Sequence, residues 1–196
     1  MKAQGQQSPY ADDVRQACEV MRRGGIILYP TDTVWGIGCD ATNAEAVARV
    51  YSIKHREDNK AMICLVDSEA RLQRYVRDVP SVAWDIIELA TRPTTVILDN
   101  ATGLADNLVA ADGSIAVRVT AEPFSRELCR RLQRPVVSTS ANISGRPPAQ
   151  NYSDIDPQLI AAVDYVCTSR RQETGQHTPS AIIRLHSNGE VKVVRG

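Results

Sequence analysis

Between residues 11 and 23 the apolar positions Val14, Ala17, Cys18 and Met21 recur at helical spacing. Asp12 and Asp13 stand in the opening turn and Gly24-Gly25 beyond the end, so the pattern predicts a helix with its own start and stop signals. An apolar run at 26–29 predicts a strand, and the residues after it, through 40, read as a loop. A second helix is predicted over 44–54, opening at Asn43 and burying Val47, Val50 and Tyr51. Residues 61–66 read as a strand, and Ser68 caps a short helix reaching Val76. Residues 80–90 read as a helix with Val82, Ile86 and Leu89 or Ala90 inward.

The second half is richer in strands. Short β-branched runs at 94–98, 115–119, 136–138, 165–167, 181–185 and 191–194 are bounded by turn residues. Helical patterns at 123–132 and 157–163 separate some of them, and Ser187-Asn188-Gly189 is a hairpin turn joining the last two strands. The expected architecture is a single α/β domain over residues 11–196, with a large, twisted, partly antiparallel sheet and flanking helices. Residues 1–10 form a polar N-terminal tail. This tail and residues 170–178 lack periodicity and are expected to be disordered.

Composition narrows the class. Of the 196 residues, 43% are hydrophobic and 23% charged, as in an ordinary globular protein. Lysine and arginine balance aspartate and glutamate at 23 each, so no whole-surface attraction to nucleic acid or acidic lipid is indicated. The start has no apolar core for a signal peptide, and no apolar run approaches the roughly 20 residues of a membrane span. The five cysteines (Cys18, Cys39, Cys64, Cys129, Cys167) are scattered and lack a CxxC pair. They fit buried, reduced thiols in a cytoplasmic protein. The three histidines (His55, His177, His186) form no ligand-spaced cluster, so no metal site is expected.

Four stretches are candidates for chemistry. The strand end at Tyr29 runs into Pro-Thr-Asp-Thr-Val-Trp-Gly-Ile-Gly, dense in small hydrogen-bonding groups and glycines. Gly36-x-Gly38-x-x-Ala41 matches a dinucleotide fingerprint on paper, but six residues separate it from the strand, where the motif needs the turn itself. Lys54, Arg56 and Lys60 follow the second helix. They read either as a solvated helix end favoured by the dipole or as an anion clamp. Residues 138–145, Ser-Thr-Ser-Ala-Asn-Ile-Ser-Gly, put four hydroxyls and an amide after a strand. There is no GxSxG elbow and no Walker A loop. Arg118 is a lone charge in an apolar strand, which needs either a buried carboxylate or a ligand anion.

Taken in order, PTDTVWGIGCDA, KHR with a following lysine, SIAVRV, STSANISG and TPSAII resemble the YrdC-like family of threonylcarbamoyl-AMP synthases over roughly residues 12–196. The likeness is to the short, TsaC-type form without an extra C-terminal domain. It implies a twisted α/β sheet with a basic concave surface. It also implies synthesis of L-threonylcarbamoyladenylate and pyrophosphate from L-threonine, bicarbonate and ATP, with Mg²⁺ carried by ATP and no transition metal. The product would pass to threonylcarbamoyl-transfer proteins that modify adenosine 37 of tRNA, with at most weak tRNA contact by this protein and no membrane.

Matched position by position, the resemblance implies that Thr33, Arg118, Ser138 and Ser180 hold threonine. Lys54 and Arg56 form the catalytic basic pair, and Arg56, Lys60, Ser114, Ser140, Asn142 and Arg195 lie on the nucleotide side. This chain departs from the family pattern at Leu65, where longer members have a histidine. It departs again at Thr91-Arg92-Pro93-Thr94-Thr95, which lacks the usual glycine, and at Arg146-Pro147-Pro148. Two other readings stand beside it. One is a non-catalytic RNA-binding protein using the same basic concavity, weakened by a single phenylalanine where stacking platforms want aromatics. The other is a transferase acting on carbamoyl phosphate.

Overall fold

A computed structural model describes residues 8–55 and 62–196. The predicted first helix forms as α1 (Ala11–Arg22), and its buried face carries Val14, Ala17, Cys18 and Met21. There follow β1 (Ile27–Tyr29), β2 (Gly36–Gly38), α2 (Ala44–Ile53), β3 (Ile63–Val66), α3 (Glu69–Leu72), α4 (Ser81–Glu88), β4 (Thr94–Leu98) and β5 (Ile115–Val119). The rest of the chain is α5 (Pro123–Leu132), β6 (Val136–Ser140), a 3₁₀ turn at Tyr152–Asp154, α6 (Pro157–Ala162), β7 (Tyr165–Val166), β8 (Ala181–Leu185) and β9 (Val191–Arg195).

The strands form one sheet in the order β7-β1-β2-β6-β3-β5-β4-β8-β9. Its pairings β1–β7, β3–β5 and β4–β8 are parallel and the remainder antiparallel, giving the expected mixed sheet. Both faces are covered over much of its width, so the strands read as continuous apolar runs. Ile26 and Leu28 join the core under α2 and α4. Ile27 and Tyr29 point the other way, into a second core with α1 and α5. These two helices stop short of the far strands on their face. That uncovered stretch of sheet is where the site lies.

Several expectations need correction. The stretch expected as loop after Tyr29 contains β2, whose two glycines make it hard to read as a strand. They are there because neighbours come close: a Cβ on Gly38 would lie 2.4 Å from the Val137 carbonyl and 2.7 Å from the Tyr29 ring. Ser68 does cap a helix, accepting from Arg71 N at 3.3 Å, but that helix ends at Leu72, and Val76 instead bridges to Ala101. In α4 the fully buried position is Ala83, while Val82 and Ile86 are half-buried. Leu89 and Ala90 are not inward: the helix ends at Glu88, and Leu89 is 77% exposed. The cysteines are buried free thiols, as expected. Burial pushes Cys18 up to about 11 and Cys64 up to about 12, which keeps them protonated.

Residues 170–178, expected to be disordered, run as a strap beside the 30–35 loop. They are tied by bonds that periodicity cannot reveal: Gly175 N donates to Asn151 Oδ1 at 2.8 Å and His177 N to Gln150 Oε1 at 2.7 Å. The strap starts from Asp13 of α1, whose buried carboxylate accepts from Ser169 N at 2.7 Å, Thr168 N at 3.1 Å and the Tyr165 hydroxyl at 2.6 Å. Burial raises the Asp13 pKa, but these donors outweigh it and hold the carboxyl below its ordinary range. A depressed native pKa contributes stability above the ordinary aspartate range, and that contribution is lost as pH falls through the native value. Asp13→Asn is therefore expected to lower unfolding free energy by about 1–3 kcal/mol at neutral pH. Denaturant titrations of both proteins should show the gap closing below the ordinary aspartate pKa.

Candidate active site

The turn after β1 is built by its own hydroxyls. Thr31 Oγ1 donates to the Val34 carbonyl at 2.7 Å, accepts from Thr33 N at 3.1 Å and lies 3.1 Å from Thr33 Oγ1. From outside, Ser125 Oγ donates to the Pro30 carbonyl at 3.3 Å and Arg170 Nη1 to the Thr31 carbonyl at 3.2 Å. The turn presents Thr33 to a cavity of about 410 Å³ on the uncovered face of the sheet. Ile63, Ile97, Ala116 and Ile182 give it an apolar floor, and Pro148 and Pro179 line it as well.

Polar groups reach this cavity from separate parts of the chain. Thr33 comes from the turn, Arg118 from β5, Ser138 and Ser140 from β6, Ser180 from the residue before β8, and Arg195 from the end of β9. Arg118 is 3% exposed and sits 2.9 Å from Asp32, Nη2 to Oδ1. That contact is an ion pair without hydrogen-bond alignment: among the described residues Asp32 Oδ1 has no hydrogen-bond partner, and neither has Arg118 Nε. Burial pushes the Asp32 pKa up, against the pull of the Arg118 charge. Burial, and then the neighbouring Arg118 charge, push Arg195 below its ordinary value. A cavity lined by two guanidiniums suits a negatively charged occupant.

Ser180 is held from two sides. Its hydroxyl lies 2.9 Å from that of Thr95, which is fully buried in β4, while Arg195 Nε donates to its carbonyl at 2.9 Å. Thr95 falls within the residues that depart from the family pattern, and nothing in the strand sequence marks it as a partner of Ser180. Leu65, the other departure, pairs in register with Arg118 but packs among Phe124, Leu128 and Val136. It adds apolar wall where longer members of the family are expected to have an imidazole.

The structure thus gathers Thr33, Arg118, Ser138, Ser180, Ser140 and Arg195 around one cavity. Other expected residues lie elsewhere. Arg56 and Lys60 fall outside the described residues. Ser114 is buried at the start of β5, its N–H on Asp112 Oδ1 at 3.0 Å, and does not line the cavity. Asn142 does not line it either. Its Nδ2 donates to the Ile143 carbonyl at 3.0 Å and the Arg146 carbonyl at 2.6 Å, closing the loop after β6. Lys54 is 1% exposed, and its ammonium donates to the Ser140 carbonyl and, at 2.6 Å, to the Asn142 carbonyl. The sequence position at a helix exit suggested a cation reaching outward. Here the side chain turns inward and braces the loop that carries Ser140. No group of three or more His, Cys, Asp or Glu side chains that would hold a metal occurs among the described residues.

The Sua5/YciO/YrdC family model, described as "Telomere recombination", matches residues 19–196. The threonylcarbamoyl-AMP synthase of Xanthomonas campestris pv. campestris (strain B100) is 35% identical over 176 residues, covering 87% of this chain and 93% of the relative. That of Stenotrophomonas maltophilia (strain K279a) is 36% identical over 167 residues, covering 83% and 89%. Among solved structures, E. coli YciO superposes with a TM-score of 0.80 at 25% identity, covering 93% of this chain and 87% of that one. P. abyssi Sua5 complexed with L-threonine superposes with a TM-score of 0.78 at 24% identity, covering 88% of this chain and 50% of that one. This chain therefore spans about half the length of that Sua5. A family model running from residue 19 to 196, and a relative at 35% identity covering most of both chains, place this protein in the Sua5/YciO/YrdC family.

Proposed function

We propose that the protein makes L-threonylcarbamoyladenylate and pyrophosphate from L-threonine, bicarbonate and ATP, the first step in forming N6-threonylcarbamoyladenosine at position 37 of tRNA. The observation that carries this reading is the convergence of Thr33, Arg118, Ser138 and Ser180 on one cavity, with the Arg118 Nε lacking a hydrogen-bond partner among the described residues. A buried donor without a partner is costly, and a ligand carboxylate at Arg118 would complete its fork. The names of the relatives, and the threonine bound to P. abyssi Sua5, support the same chemistry.

In this mechanism the threonine carboxylate meets Arg118, and hydroxyls from the turn, β6 and the start of β8 surround the small side chain. The neutral amine attacks the bicarbonate carbon, and a C–O bond breaks with loss of water to leave a carbamate. A carbamate oxygen then attacks the α-phosphorus of ATP, forming the new P–O bond as the bond to pyrophosphate breaks. The nucleophile is already an anion, so no strong general base is needed. Catalysis rests on alignment and on neutralising crowded negative charge. Ser140 and Arg195 take the nucleotide side, the role that the family resemblance also gives to Arg56 and Lys60. Mg²⁺, if carried by the triphosphate, would neutralise part of the phosphate charge there. Lys54 contributes by bracing the Ser140–Asn142 backbone. The product passes in the cytoplasm to threonylcarbamoyl-transfer proteins, and contact of the isolated protein with tRNA is weak and salt-sensitive.

The direct test is to mix protein, ATP, threonine and bicarbonate, measure pyrophosphate, and detect the adenylate by mass. Release should require both threonine and bicarbonate, and equal ATP turnover without threonine would defeat the reading. Thr33→Val, nearly isosteric, removes one hydroxyl from the cavity. It is expected to raise the threonine KM by roughly 10-fold while the ATP KM changes little, since an unmatched substrate hydroxyl costs ~1–3 kcal/mol. Lys54→Met keeps most of the side-chain volume but takes the ammonium away from two part-buried carbonyls. It should lower unfolding free energy by about 1–3 kcal/mol, read as a lower melting temperature. An unchanged melting temperature with lost turnover would show that Lys54 acts on substrate directly.

A further inference from the structure

Arg170 does not line the main cavity, yet it holds the turn that does. Its side chain is 17% exposed, and its backbone adopts a left-handed conformation, φ 62°, that an arginine seldom takes without a reason. Nη1 donates both to the Thr31 carbonyl at 3.2 Å and to Glu122 Oε1 at 3.0 Å, while Nε donates to Glu173 Oε2 at 2.7 Å. Glu122 is in turn fixed as the cap of α5, accepting from Phe124 N at 3.0 Å and Ser125 N at 2.7 Å. Ser125 donates to the Pro30 carbonyl. Two successive carbonyls of the turn, Pro30 and Thr31, are therefore gripped from one frame made of the α5 N-terminus and the strap.

The next two residues are the ones that face the chemistry. Asp32 lies against Arg118, and Thr33 lines the cavity. A second, small void of about 10 Å³ is lined by residues of both turn and strap, Thr31, Thr33, Arg170, Glu173 and His177 among them. The turn is buried, and beside its packing these directional bonds on the Pro30 and Thr31 carbonyls fix where it stands. We propose that Arg170 is a positioning residue for substrate binding. Acting through the Thr31 carbonyl, it sets where the Thr33 hydroxyl and the Asp32–Arg118 pair stand, and so governs affinity for the amino acid rather than for the nucleotide. This rests on the reading that threonine occupies the cavity beside Thr33.

Arg171 provides the matched control on the same strap. It donates to the Cys167 and Val166 carbonyls, both at 2.7 Å, and lies 4.8 Å above the Tyr152 ring, with no hydrogen bond to the Pro30 or Thr31 carbonyl among the described residues. The experiment compares wild type, Arg170→Ala, Arg170→Lys and Arg171→Ala by threonine KM, ATP KM, kcat and the rise in melting temperature caused by threonine alone. Arg170→Ala should raise the threonine KM roughly 10-fold or more and abolish the threonine-induced rise, with the ATP KM within about twofold. Arg170→Lys keeps the charge without the fork and should recover part of the loss. Arg171→Ala should lower the melting temperature and leave the threonine KM unchanged. Equal effects on the two KM values, or Arg170→Ala and Arg171→Ala that differ only in stability, would overturn the proposal. If Arg170→Ala does not fold, Arg170→Lys against Arg171→Ala makes the same comparison. Wild type that neither binds threonine nor needs it for pyrophosphate release would instead defeat the functional reading.

Discussion

A guanidinium in the middle of an apolar strand is the constraint around which the rest of the site is arranged. Arg118 stands in β5 between Val117 and Val119, almost wholly removed from water. Such a charge persists only where the fold supplies compensation. The compensation comes from Asp32, on a turn 86 positions earlier in the chain and close in space only because β6 and β3 lie between β2 and β5 in the sheet. Because that pairing lacks hydrogen-bond alignment, the arginine is neutralised without being saturated. A partly used charge in a dry pocket is what a ligand carboxylate can exploit, since the cost of desolvating the arginine has already been met by folding.

Keeping Asp32 in place then requires a turn that does not drift. Its internal bonds run through Thr31, and its external bonds come from Ser125 and Arg170. The glycines of β2 serve the same end. They let the Tyr29 ring and the β6 backbone approach closely, so that β2 can lie between β1 and β6 while the turn leans over the uncovered face. The loop after β6 is braced in a comparable way, by a buried ammonium rather than by a guanidinium. Polar side chains that read as candidates for chemistry thus divide into those that face the cavity and those that hold the backbone facing it.

The sequence by itself determined most of the scaffold. The 3.6-residue spacing of Val14, Ala17, Cys18 and Met21 specified α1, and Pro123 with the following amphipathic stretch specified α5 to the residue. The β-branched runs specified the strands of the second half. Order of motifs specified the family, because PTDTVWG, SIAVRV and STSANISG are local strings that need no knowledge of their neighbours. Where local signals conflict, the sequence misleads: glycines disguise β2, and the apolar pattern points Leu89 or Ala90 inward although the helix stops before them.

What only the tertiary structure decided is which polar groups meet. Lys54 looked like an outward cation because the sequence does not say that the loop after β6 passes over the end of α2. Thr95 carried no signal, since a threonine in a strand is ordinary until Ser180 arrives opposite its hydroxyl. The strap at 170–178 looked unstructured because its order comes from isolated long-range hydrogen bonds, which have no period. Helices and strands are legible in sequence because they repeat along the chain. The partners of Arg118, Lys54 and Arg170 are set by where distant segments cross, and no local pattern encodes a crossing.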